Sequence, residues 1–158
     1  VTIPVQTSAG AGSAGDIVAL NSAGTIDTTM LPAGIGPGVY TAITSENLAA
    51  GDFVNLYSNV GVITVRKADA SAGSAAKQAH GFVIAAVTSP ALATIYPLGE
   101  DNTGQTGLTV GEQWLSDTTA GKTITAPPST SGHLVQQVGV ALSTTNIVTT
   151  ANGSMYIR

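Results

Sequence analysis

The chain reads as an all-β protein, with a compact β-barrel or β-sandwich body behind an extended, Gly/Ala-rich N-terminal arm. Three observations lead there. From residue 39 onward, short runs rich in Val, Ile, Thr and Tyr alternate with Gly, Asn, Asp and Ser. No stretch of helical length repeats its apolar residues every 3.6 positions. Residues 1–38 are rich in glycine and carry Pro4, Pro32 and Pro37, so they offer little that could form a core. These observations divide the chain into an arm, 1–38, and a β-domain, 39–158.

Within the arm, Gly10-Ala11-Gly12-Ser13-Ala14-Gly15 has no large side chain to bury and is expected to be flexible or extended. Two apolar clusters follow, Ile17-Val18-Ala19-Leu20 and Ile26 with Met30-Leu31, separated by a turn at Asn21-Ser22-Ala23-Gly24. The arm is expected to end at Gly34-Ile35-Gly36-Pro37-Gly38, where Gly and Pro interrupt regular structure.

In the body, the first strand is expected at Val39–Ile43. Phe53–Tyr57 follows with partial alternation, and Ser58-Asn59 is read as its break. Val62–Lys67 is dense in β-branched residues. Ala68–Gln78 is Ala-rich and is the one place where a helical turn is expected. Further strands are expected at Gly81–Val87, Ala93–Leu98, Thr109–Leu115, Thr123–Thr125, Leu134–Leu142, Ile147–Thr150 and Met155–Ile157.

Composition narrows the function. The 158 residues include no cysteine, which removes disulfides, thiolate metal sites and cysteine nucleophiles. Only 9% are charged and the net charge is −4. The five basic residues, Arg66, Lys67, Lys77, Lys122 and Arg158, form no stripe that could follow a phosphate backbone, so no nucleic-acid partner is expected. The longest apolar run, Phe82–Val87, is far short of the ~20 residues that span a bilayer, and Val1-Thr2-Ile3-Pro4 does not resemble a secretion signal. No membrane partner is expected either.

The motifs that suggest chemistry do not fit their surroundings. Gly10–Gly15 spells G-x-G-x-x-G, but no strand–helix unit surrounds it. Ala120-Gly121-Lys122-Thr123 ends like a phosphate loop, yet Pro127-Pro128 forbids the helix that must follow, so a hairpin turn with Gly at positive φ is expected. Ser74-Ala75-Ala76-Lys77 matches S-x-x-K without its companion elements. His80 and His133 lie far apart in sequence, although a His–carboxylate pair could still meet in space. Glu100-Asp101-Asn102-Thr103-Gly104 lacks the spacing of a calcium loop and reads as a polar turn. Trp114, the one Trp, is expected to fill a core or an interface. No enzyme, metal or cofactor is expected.

Gly15-Asp16-Ile17-Val18-Ala19-Leu20-Asn21-Ser22-Ala23-Gly24-Thr25-Ile26-Asp27-Thr28-Thr29-Met30-Leu31-Pro32 resembles a segment common in tailed-phage structural proteins, G-x-I-x-x-L-x-x-x-G-x-I-D-x-x-x-L-P. Trp114-Leu115-Ser116-Asp117, Gly121–Thr125, Pro127-Pro128, Gly132 and Val135–Ser143 are similar to a run frequent in phage head-decoration and fibre-associated domains, and Asn47–Val54 fits the same setting. The resemblance implies a virion structural protein, a capsid decoration (cement) protein made in the bacterial host cytoplasm. It would sit on the outer capsid surface as a homotrimer bound to the major capsid protein. The alternative is a tail-fibre-associated adhesion module that binds a host surface receptor. In the first reading the arm would hold the shell through Ile17, Val18, Leu20, Ile26, Met30 and Leu31, whose apolar area is enough to anchor it.

Overall fold

A computed structural model describes residues 4–27, 30–31, 38–71, 76–151, 153 and 155–158. The chain forms two compact units, Val1–Gly38 and Val39–Arg158. The expected arm boundary at 34–38 lies outside the described residues apart from Gly38.

In the first unit, β1 (Pro4–Val5) pairs in parallel with β2 (Ile17–Val18), joined through a single 3-10 turn at Gly10–Ser13. The expectation of a flexible or extended Gly10–Gly15 is therefore corrected. Gly10 takes a φ of 67°, and the Ser8 and Ser13 hydroxyls accept the Gly10 and Ala9 N–H groups, closing the turn. The turn after β2 forms as expected. Asn21 Oδ1 accepts the N–H groups of Ala23 and Thr25, and Gly24 adopts a φ of 74°. None of the unit's described residues is buried.

The second unit is all β. Its closed barrel runs in the order β3 (Tyr40–Thr44), β5 (Val62–Lys67), β4 (Phe53–Asn59), β6 (Gly81–Phe82), β7 (Leu92–Pro97) and back to β3. The β3–β5 pair is parallel and the others are antiparallel. A second sheet has the order β10 (Thr123–Ile124), β9 (Gly111–Leu115), β11 (Leu134–Ala141), β12 (Ile147–Thr149), β8 (Asp101–Asn102), and β13 (Met155–Ile157) pairs with the first half of β11.

Two cores result. Ala42, Leu48, Val54, Val65, Val83, Ala93 and Ile95 fill the barrel. Phe53, Phe82, Leu115, Leu134, Val138 and Ile147, with several alanines, form the other core. Strand β4 is the wall between them, so its first three residues are all buried and the period-2 alternation disappears there. Phe53 and Phe82 are register partners with ring centroids 6.2 Å apart, and Phe82 stacks on Tyr96 at 5.6 Å.

Several expected boundaries move. The break after β4 falls at Val60-Gly61 rather than Ser58-Asn59, because Asn59 still pairs with Val62. Both turn residues have positive φ, 51° and 81°, the geometry that matches the twist of a two-residue hairpin. No helical turn forms among the described residues of Ala68–Gln78. Asp69 and Lys77 instead make an antiparallel bridge and an ion pair at 3.7 Å, and the Asp69 carboxylate accepts the Ser71 N–H. Ser74 and Ala75 of the S-x-x-K match lie outside the described residues. The run Gly81–Val87 is strand only over β6. Beyond it, Val83 bonds with Asp52 and Gly51, and Val87 bridges Leu48. The expected polar turn at Glu100–Gly104 contains β8, where Asn102 is buried and donates to the Gly51 carbonyl.

Candidate functional site

The six arm residues fall into two groups. Ile17 and Val18 form β2 with 56% and 51% of their surface exposed, and Leu20 and Ile26 are about half exposed. Met30 and Leu31 are half-buried. The Ala19 N–H bonds the Val5 carbonyl, and the Gln6 amide donates to the Leu20 carbonyl. In a parallel ladder this side of β2 uses Ile17 C=O and Ala19 N–H, so both backbone groups of Val18 point to the opposite edge. A pair of two-residue strands is far below what stands alone in water. The arm thus holds a local backbone shape around apolar side chains that it does not itself cover.

In the body, the titratable side chains are tied into the fold. Asp52, fully buried at the entrance to β4, accepts the Ala49 N–H at 2.8 Å through Oδ2. The Lys122 ammonium lies 2.6 Å from Oδ1, an ion pair rather than an aligned hydrogen bond, and Lys67 approaches Oδ2 at 3.9 Å. Lys122 follows Gly121, whose φ of 80° turns the β9–β10 hairpin as expected. That lysine therefore ties the second sheet to the start of β4.

His80 sits before β6 beside a groove of about 450 Å³ lined by Asn55, Gln78, Leu134 and β13. Its Nδ1 accepts the Leu56 N–H at 3.0 Å, which sets the neutral tautomer with the proton on Nε2. Nε2 lies 2.7 Å from the Gln78 amide, a contact that is a hydrogen bond only with the amide oxygen turned toward it. Burial lowers the His80 pKa, in keeping with that neutral ring. Asn55 accepts from Arg66 Nε at 2.9 Å, and the Arg66 guanidinium lies 4.2 Å from the centre of the Tyr57 ring.

His133 and Asp117 do meet, Nδ1 to Oδ2, at 3.0 Å. The neighbouring Ser116 hydroxyl is held in a turn, where it accepts the Thr118 and Thr119 N–H groups. Trp114 is half-buried on β9, with its indole N–H enclosed. Among the described residues no group of three His, Asp or Glu side chains could hold a metal, and no helix is long and apolar enough to cross a membrane.

The Asp52–Lys67–Lys122 cluster and the Asp117–His133 pair were not legible beforehand, because their members come from separate strands and loops. Only the chance that a His and a carboxylate meet in space could be stated in advance.

The fold and its exposed surfaces define a two-unit, all-β protein built on a closed five-stranded barrel with a flanking sheet. No family model and no curated protein matches the chain. Among solved structures it is similar to the N base of the head fiber gp8.5 of bacteriophage phi29, at 15% identity and a TM-score of 0.43, covering 73% of this chain and 96% of that one.

Proposed function

We propose that this chain is a structural protein of a phage virion, a decoration protein that binds the outer surface of the head and stabilises the shell. Its partner is the major capsid protein, its copies associate as a homotrimer, and it carries out no catalysis. The observation that carries this reading is the arm, whose Ile17, Val18, Leu20 and Ile26 stay about half exposed on a segment without a buried residue among those described. Each such side chain has roughly 1 kcal/mol of burial still to gain on a partner. Three copies on one assembly would multiply that gain through effective concentration. The residue pattern from Gly15 to Pro32 supports the same setting.

Immunogold labelling of intact particles tests the placement. Gold over the head is the expected result. Gold confined to the tail would favour the adhesion-module reading, and unlabelled particles would overturn both. Deleting residues 1–31 is expected to abolish head binding while the body keeps its β-sheet circular dichroism, and unchanged occupancy on heads would reject the arm's role.

A further inference from the structure

The second sheet turns one face to its core and the other outward. Strand register places four outward residues in a single row across it: Glu112 opposite Val140, Val140 opposite Val148, and Val148 opposite Asp101. All four are exposed, whereas Ala141, Ile147 and Asn102, one residue along on the other face, are fully buried. Just beyond the ends of β9 and β11, Val110 and Leu142 are 63% and 62% exposed. The result is an apolar strip closed at both ends by a carboxylate. At a strand spacing of ~4.8 Å, the Cα atoms of Glu112 and Asp101 stand about 14 Å apart.

We propose that this face is a docking surface for a protein segment carrying two cationic side chains about 14 Å apart with apolar side chains between them. An extended segment of the pattern cation-x-apolar-x-cation meets that requirement, since four residues of strand span about 14 Å and all three side chains point the same way. Charge complementarity selects such a partner over a second copy of this chain. Four of the chain's five Lys and Arg residues are engaged internally, Lys67 and Lys122 with Asp52, Lys77 with Asp69, and Arg66 with Asn55 and Tyr57. Arg158 alone cannot satisfy both ends of the row. The inference does not depend on the virion reading, because it specifies the partner's chemistry and not its source.

The test is a titration of the full-length, 15N-labelled chain with a synthetic extended peptide containing Lys-Thr-Val-Thr-Lys, followed by amide chemical shifts. The expected shifts centre on Asp101, Glu112, Val140 and Val148, and weaken several-fold between about 0.02 and 0.2 M salt. Replacing both peptide lysines by glutamate is expected to abolish them. The double variant Asp101→Lys, Glu112→Lys is expected to bind roughly tenfold more weakly with its remaining spectrum intact. Should that variant misfold, Asp101→Asn with Glu112→Gln serves in its place. Absent shifts, shifts centred on another face, or a change of oligomeric state in the double variant would each overturn the proposal, the last by showing that a second copy occupies the face.

Discussion

Phe53 and Val54 are adjacent in sequence and belong to different cores. Val54 packs inside the barrel, and Phe53 packs with Phe82 in the core that extends to Leu115 and Ile147 of the second sheet. Both side chains are completely buried. A change at either residue therefore damages one core and leaves the other's side chains in place, although the two share a backbone.

Asp52 is expected to matter more than either lysine beside it. Replacing Asp52 with Ala removes the acceptor of the Ala49 N–H and the countercharge of both ammonium groups, a cost of about 2 kcal/mol. Lys122→Ala is expected to cost about 1 kcal/mol, a value discounted because its side chain is 41% exposed and Lys67 remains. Urea denaturation of the two variants checks the order, and equal midpoints would reject it.

Gly139→Ala is expected to destabilise the second sheet by about 2–4 kcal/mol. Gly139 sits at the register shift of β11 against β9 with a φ of 153°. A Cβ there would run into the Val148 carbonyl oxygen and lie 2.8 Å from both Ile147 Cγ2 and Thr149 Cα. Thermal unfolding is the readout, and a variant as stable as the parent would refute the role of the bulge.

Val60 occupies a left-handed position at the tip of the β4–β5 hairpin and is 98% exposed. A β-branched side chain is poorly suited to that conformation, whereas Asn tolerates it. Val60→Asn is expected to raise stability by about 1 kcal/mol, measured as a higher denaturation midpoint. An unchanged or lower midpoint would argue against a strained turn.

Acidification is expected to weaken the body through two groups. His80 is held neutral, its pKa below the usual value of about 6.5, so the unfolded chain binds more protons as the pH falls below that value and stability declines. Partial burial alone would raise the Asp69 pKa, but the Ser71 hydrogen bonds and the Lys77 ammonium outweigh it and hold the carboxyl below its ordinary range. Its contribution is lost at still lower pH, as that lowered folded value is crossed. Unfolding free energy followed from pH 7 to about pH 5 is expected to slope less in His80→Gln than in the parent. Parallel slopes would remove His80 from the account.

Much of the β architecture was legible because β-branched runs ended at clear turns. Val62–Lys67 and Met155–Ile157 form strands with the bounds their residues suggest. The failures have specific causes. Asp101-Asn102 is too short and polar to read as a strand, and its place in the sheet rests on pairing with Ile147-Val148 and on the Asn102–Gly51 bond. The Ala-rich stretch after Ala68 has the composition of a helix, but among its described residues the Asp69–Lys77 bridge forms instead of a helical turn. The arm's apolar residues stood out against glycine, while the row from Glu112 to Asp101 exists only through the register of four strands.

The parallel pairing of β3 with β5 has a mechanical consequence. The arm joins the body at β3, which is bonded to β5 on one edge and β7 on the other. Tension pulling the arm along the axis of that strand loads the cross-strand bonds together in shear, so they cannot open one at a time. Such a joint resists the peeling of β3 from the barrel under a pull transmitted through the preceding chain.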